Sequence, residues 1–245
     1  MTPAIEVRAI RRGVLVGGMA LVFSQFAFGM VFGLAARDSG FSLLEAVAMS
    51  ALAYSGAAQF AAAGLIAQGV PWAGIVVLTA LLNARHLLYS ASLAPWFASA
   101  PRRVRAVAAH GLTDEVYALT LPAFGTLRRL DLPSYAIAVA LTLPTWIIAT
   151  AAGFLGGELL PDPRVLGLDV VFPAVMAALA VVLITDRRAL IAAVAGATIG
   201  LAVALLVEPS VGVMAGGLVG PLVAMLAPGS STDRDARLAS DGMPG

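Results

Sequence analysis

Three short stretches set polar side chains inside otherwise apolar text. The first reads Ala53-Tyr54-Ser55-Gly56-Ala57-Ala58-Gln59-Phe60 and sits within Ala46–Ala84, a run with no charged residue. Ser55 and Gln59 are four apart and share one face of a continuous helix. Gly56 allows local unwinding, which frees backbone carbonyls and amides to meet a solute. The plainer alternative is one interhelical hydrogen bond from Gln59, on the order of 1 kcal/mol. The second stretch is Leu82-Asn83-Ala84-Arg85-His86-Leu87-Leu88-Tyr89-Ser90. An arginine at mid-bilayer costs roughly 3 kcal/mol, so it needs a counter-ion, a cavity or a pathway. Arg85 suits a two-pronged bond to a substrate carboxylate or a structural pair with Asp114 or Glu115. Histidine is the residue type that can gain or lose a proton near neutrality, so His86 suits proton relay, although a satisfied interior histidine is as good a reading.

The third stretch is His110-Gly111-Leu112-Thr113-Asp114-Glu115-Val116-Tyr117. Adjacent carboxylates on a helix point about 100° apart and cannot share one partner. One pairs with Arg85 while the other faces a cavity, where desolvation favours the protonated form; otherwise both are solvated at a membrane surface. The candidate substrate contacts are therefore Ser55, Gly56, Gln59, Asn83 and Arg85. The candidate proton-coupling groups are His86, Asp114 and Glu115.

The elements that must hold these residues are transmembrane helices. Of 245 residues, 60% are hydrophobic and 12% charged, about half the charged share of a soluble domain. Val14–Ala36, Ala46–Ala84, Leu132–Gly157, Val170–Thr185, Ala189–Val207 and Pro209–Thr232 are free of charge. A spanning helix needs about 20 apolar residues, and too little polar sequence remains to cover a soluble core of that size. The expected segments are Val14–Ala36, Leu44–Ala67, Trp72–Phe97, a weaker Val104–Phe124, Ser134–Gly156, Val170–Ile184, Ala189–Val207 and Val211–Ala227. The expected organisation is a cytoplasmic N-terminal segment 1–13, a transmembrane domain 14–227 and a disordered polar tail 228–245. The fold class is an all-α, polytopic helix bundle with about seven crossings, six and eight remaining open.

Arg8, Arg11 and Arg12 place the N-terminus in the cytoplasm. Arg187 and Arg188 suit a cytoplasmic loop, and Glu158, Asp162 and Asp169 an external one. If the first three segments all cross, Arg102, Arg103 and Arg105 fall outside, against that rule. Either an early segment is broken or re-entrant, or the rule fails at one loop. Small residues four apart, Gly29 and Gly33, Ala53, Ala57 and Ala61, Gly196 and Gly200, indicate close helix packing. Pro144 and Pro173 are expected to kink their helices. A weak echo of Phe32–Ser42 in Gly156–Asp169 suggests an internal repeat.

With no Cys, no metal or thiol chemistry is expected from that residue, and no basic stripe suggests nucleic acid. No cofactor is expected. No serine nucleophile elbow or paired metal motif points to an intramembrane enzyme. A passive pore remains the main alternative to a carrier.

The chain resembles the AzlC-type branched-chain amino acid permease family, the large subunit of a two-part exporter. The resemblance rests on Phe28-Gly29 through Gly33-Leu34-Ala35 with Gly40, on Ser50, and on Ser55-Gly56-Ala57-Ala58-Gln59-Phe60. It continues through Leu82-Asn83-Ala84-Arg85-His86-Leu87-Leu88-Tyr89, Leu112-Thr113-Asp114-Glu115, Trp146, and Leu166-Gly167-Leu168-Asp169 before Pro173-Ala174. It runs from about Gly13 to Leu226. It implies an inner-membrane efflux carrier for branched-chain amino acids, with methionine a further candidate, and a separate small hydrophobic subunit of the AzlD type. With no nucleotide-binding motif in the chain, the expected driving force is the proton gradient.

Overall fold

The computed structural model describes residues 3–158 and 186–226, together with Ala177, Val181 and Ile184. The described residues are helical with no strand. The expected segment Val170–Ile184 apart from those three residues, with Pro173, the loop acids Asp162 and Asp169, the echo through Asp169, and the tail from residue 228 lie outside the described residues. The chain divides into two compact units, Met1–Ala67 with Thr79–Phe172 and Gln68–Leu78 with Pro173–Gly245.

The first unit is built on two long helices, α1 (Pro3–Asp38) and α8 (Leu132–Glu158). Helix α1 begins ahead of the expected boundary at residue 13. Gly18 lies against Leu141, Gly29 against Trp146 and Ala149, Gly33 against Thr150 and Phe154, and Gly157 against Leu34 and Arg37. Positions rise together on both helices, so α1 and α8 run parallel. A Cβ on Gly33 would collide with the Thr150 carbonyl, and one on Gly153 with the Met30 carbonyl. Glycine is therefore required on both sides of this crossing, as close approach in lipid demands. Pro144 lies inside α8 without ending it. Both helices start at one end, where Arg11 binds Asp131.

Between them lie α2 (Leu43–Leu52), α3 (Gly56–Ala67), α4 (Trp72–Asn83), α5 (Arg85–Leu93), α6 (Arg102–His110) and α7 (Asp114–Leu127). Ser42 and Glu45 form a capping box that starts α2 at the end away from Arg11. The expected Leu44–Ala67 segment is not one helix. It breaks at Ala53–Ser55, where Tyr54 takes a positive φ of 38°, a costly conformation for an aromatic residue. Ala53 therefore does not share a helix with Ala57 and Ala61. Gln59, one turn past the break, bonds Ser50, one turn before it, so the chain doubles back. Helix α3 packs on the far third of α1, where Phe32, Ala35 and Ala36 are buried. Ser24 and Phe28 at the middle of α1 stay exposed.

Helices α4 and α5 are separated by Ala84 alone, which keeps helical angles, and together form a 22-residue apolar span. That span ends at the Arg11 end: Leu93 and Phe97 pack with Val14, Tyr135 and Ala138. Helix α7 runs antiparallel to α1, since Leu119 meets Gly17 and Gly18 while Thr126 reaches the level of Ile10. It therefore starts at mid-span and descends. Helix α6 rises to meet it, with the Ala108 carbonyl bound by the Tyr135 hydroxyl at 2.6 Å and Gly111 against Val139. The expected Val104–Phe124 segment is thus a second hairpin. It enters from the Arg11 end, whereas α2–α3 enters from the other. Arg102, Arg103 and Arg105 fall at the same end of the unit as Arg11 and Arg12, so re-entry removes the conflict with the charge rule.

The second unit contains α9 (Arg187–Leu206) and α10 (Pro209–Leu226). Asp186 caps α9 through the Ala189 amide at 2.8 Å. Gly196 faces Gly216 and Gly220, and Gly200 faces Gly212 and Gly216, so the two helices form an antiparallel pair in near backbone contact. Among the described residues five helices are long and apolar enough to cross a membrane: Ile5–Asp38, Trp72–Leu93, Leu132–Gly157, Arg187–Leu206 and Pro209–Leu226.

Candidate functional site

The three polar stretches meet inside the first unit, at the tips of both hairpins and at the α4–α5 break. Ser55 stands just before α3, where its carbonyl accepts the Gln59 amide at 2.9 Å. Its hydroxyl donates to Asn83 Oδ1 at 2.7 Å. That bond ties the tip of the first hairpin to the last residue of α4. Ser55 and Gln59 do not present one shared face, because Ser55 caps the helix and turns toward α4.

Gln59 turns the other way and is fully buried. Its Oε1 accepts the Trp146 indole N–H at 2.9 Å. Its Nε2 donates to Ser50 Oγ at 2.9 Å, and Ser50 and Thr150 are joined at 2.8 Å. The chain Trp146–Gln59–Ser50–Thr150 pins both arms of the hairpin to α8. A polar network at this depth is stable only when satisfied throughout, and both ends of the Gln59 amide are used. Gly56 lies against the Trp146 ring, which a Cβ would meet at 3.0 Å. Gly56 is therefore a packing position as well as a helix start.

Arg85 lies directly after the α4–α5 break, and its Nη2 is 2.9 Å from Asp114 Oδ2. The second Asp114 oxygen accepts the Tyr89 hydroxyl at 2.6 Å. Tyr89 also stacks on Tyr117, with centroids 4.5 Å apart, and Tyr117 reaches Ser92 at 3.0 Å. The Arg85 Nε is buried and has no hydrogen-bond partner. The pair is not sealed, since the side chains keep 25% and 39% of their surface. His86 Nδ1 is 3.2 Å from the Asn83 carbonyl, and its ring meets Tyr89 edge-on at 5.7 Å.

Thr113 caps α7 through the Val116 amide, which sets Asp114 and Glu115 in the first turn. There the helix dipole favours carboxylates. Asp114 turns to α5. Glu115 makes no hydrogen bond or ion pair among the described residues and lies within electrostatic reach of Tyr54. Tyr54 is 4% exposed, and Thr142 and Thr113 lie within reach of its hydroxyl.

Several residues of this site carry no signal of their own in the sequence. Tyr54, Tyr89 and Thr150 look like ordinary helix residues until the break and the hairpins bring them inward. Arg11 and Asp131 lie 120 positions apart, and local spacing gives no hint of their pairing. Arg11 Nε and Nη2 meet Asp131 Oδ2 and Oδ1 at 2.9 and 2.6 Å. Ser134 adds its hydroxyl at 2.7 Å and its amide at 3.2 Å. The Arg11 bond, with help from Ser134, holds the Asp131 carboxyl at about 2, below its usual value.

Comparison with known proteins agrees with this architecture. A family model described as AzlC protein matches residues 20–160, which contain all three polar stretches. An uncharacterized membrane protein of Archaeoglobus fulgidus is 34% identical over 208 residues, covering 84% of this chain and 89% of that one. The inner membrane protein YgaZ of Escherichia coli is 36% identical over 102 residues, 41% of either chain. An uncharacterized membrane protein of Helicobacter pylori is 32% identical over 101 residues, 41% of this chain and 44% of its own. No solved structure matches. An all-helical membrane bundle, with paired glycine crossings and polar tips inside the matched region, is thus what this sequence builds, and the chain belongs to the AzlC family.

Proposed function

We propose that this protein is a secondary-active carrier of the cytoplasmic membrane that exports branched-chain amino acids together with a small AzlD-type subunit. The observation that carries the reading is the meeting of two hairpin tips and a helix break around a half-open arginine–aspartate pair at mid-span. Interrupted helices near the membrane centre are how carriers expose backbone dipoles and charged groups to a solute without unfolding. An ionisable pair at that depth is expensive to keep and marks a pathway more often than a strut.

In this reading Ser55 and Asn83 join the two breaks, Gly56 keeps the tip close to Trp146, and Gln59 locks the hairpin to α8. Arg85 receives the substrate carboxylate. Glu115, within electrostatic reach of the buried Tyr54 and without a hydrogen bond or ion pair among the described residues, is the proton carrier, with His86 the relay between the break and Tyr89. A passive pore would need neither a coupled acid nor a locked hairpin.

The test is efflux of labelled valine from cells that express this chain with and without the small subunit. Efflux above the empty-vector rate, dependent on the subunit and abolished by Arg85→Ala, supports the proposal. Efflux that persists after the proton gradient is collapsed would show a pore.

A further inference from the structure

We propose that the Arg85–Asp114 pair is itself the clamp for the zwitterionic head of an α-amino acid, opening so that Arg85 takes the carboxylate and Asp114 takes the ammonium. This rests on the transport reading and names the groups that recognise the substrate.

The geometry leads there from what the pair leaves undone. A guanidinium bonds a carboxylate best with two parallel N–H groups. Arg85 Nη2 lies 2.9 Å from Asp114 Oδ2, and its Nε is buried without a hydrogen-bond partner among the described residues. An oxygen admitted as the pair opens would complete the fork on that Nε. Asp114 is held on its other side by the Tyr89 hydroxyl, a neutral donor that can keep the acid in place when Arg85 lets go. Both charged side chains retain accessible surface, so a solute can reach them.

Charge balance then selects the solute. At this depth an unpaired charge is strongly disfavoured. A ligand with one charge would satisfy Arg85 or Asp114 and strand the other. A zwitterion replaces one ion pair with two and strands neither. The carboxylate and ammonium of an α-amino acid share one carbon, so they fit between two groups that are themselves in contact. Ser55 and Asn83 already bond each other and are left to shape the break, not to carry charge.

The test is equilibrium binding to the full-length protein reconstituted with its small subunit in lipid nanodiscs, using three probes of one skeleton. L-valine has both charges, 3-methylbutanoate only the carboxylate, and 2-methylpropan-1-amine only the ammonium. The unaltered protein should prefer L-valine to each partial analogue by at least tenfold. Asp114→Asn should erase that preference and bind 3-methylbutanoate at least as well as L-valine. Tyr89→Phe keeps both charges and covers the case in which Asp114→Asn does not fold. By loosening Asp114 it should shift L-valine affinity severalfold while preserving the order of the probes. The clamp is overturned if the unaltered protein binds 3-methylbutanoate as tightly as L-valine. It is equally overturned if Asp114→Asn keeps the preference, or if Tyr89→Phe leaves L-valine binding unchanged. Absence of any L-valine binding by the unaltered protein overturns the transport reading, and the clamp with it; every other failure leaves that reading standing.

Discussion

Two arginine–aspartate pairs among the described residues, Arg11–Asp131 and Arg85–Asp114, are built to opposite ends. Arg11 meets Asp131 with two parallel bonds, Ser134 fills the remaining acceptor positions, and Asp131 is 3% exposed. Arg85 Nη2 lies 2.9 Å from Asp114, its buried Nε has no hydrogen-bond partner among the described residues, and both side chains stay partly accessible. The first pair locks the starting ends of the two parallel helices. The second sits where a helix break meets the tip of a hairpin. The first kind of building extends to neutral groups: the Trp146–Gln59–Ser50–Thr150 chain is closed at every link. A complete set of bonds resists rearrangement, and an incomplete one has somewhere to go.

The contrast predicts unequal responses to mutation. Asp131→Ala should cost the most, lowering the melting temperature of the solubilised protein by roughly 5 °C or more without changing which solutes bind. The same carboxyl sets an acid limit. Its pKa is depressed to about 2 from 3.8, so its contribution is complete above about pH 4 and fades as pH falls through 2. The melting temperature should therefore drop across that window in the unaltered protein, and this limb should be missing in Asp131→Asn.

Gln59→Leu comes next, at about 2 kcal/mol, because it strands the Trp146 indole N–H and Ser50 in a dry interior. That is more than a lone interhelical bond would cost, and chemical denaturation or thermal shift measures it directly. Asp114→Asn keeps an amide oxygen for Arg85, and the guanidinium retains accessible surface, so the cost should be smaller, about 1 kcal/mol, while solute binding changes. If Asp114→Asn destabilised the protein as much as Asp131→Ala, the two pairs would be the same kind of structure and the distinction would fail. Glu115→Gln should have the smallest effect on stability, within about 0.5 kcal/mol. Its signature is a flattened pH profile of valine efflux, and a profile unchanged from the parent would move proton coupling to His86 or His110.

Much of the site was legible from residue types. Arg85 inside an apolar run demanded an acid, and Asp114-Glu115 offered two whose directions had to differ. Which acid pairs was not legible, because a helix fixes the angle between neighbours but not its own rotation about its axis. Gln59 stood out as a buried amide, but its partners Trp146, Ser50 and Thr150 come from other elements and show only once α8 is in place. The closed Arg11–Asp131 pair left no local trace, since its members are joined by tertiary contact alone.

The sequence by itself determined the solvent and the material. Charge-free runs of helix length choose a bilayer, glycines four apart choose close crossings, and both follow from transfer and packing energies that act residue by residue. Tertiary structure alone decided which runs cross. Leu44–Ala67 is long enough to span, yet it turns at Tyr54 because Ser50 and Gln59 bond each other and α8 across the break. Val104–Phe124 turns at Gly111–Thr113 because Thr113 starts a new helix there, with Asp114 bound to Arg85. Hydropathy is nearly the same for a helix that crosses and for one that doubles back. The choice is made by a few hydrogen bonds between residues distant in the chain, which only the folded structure brings together.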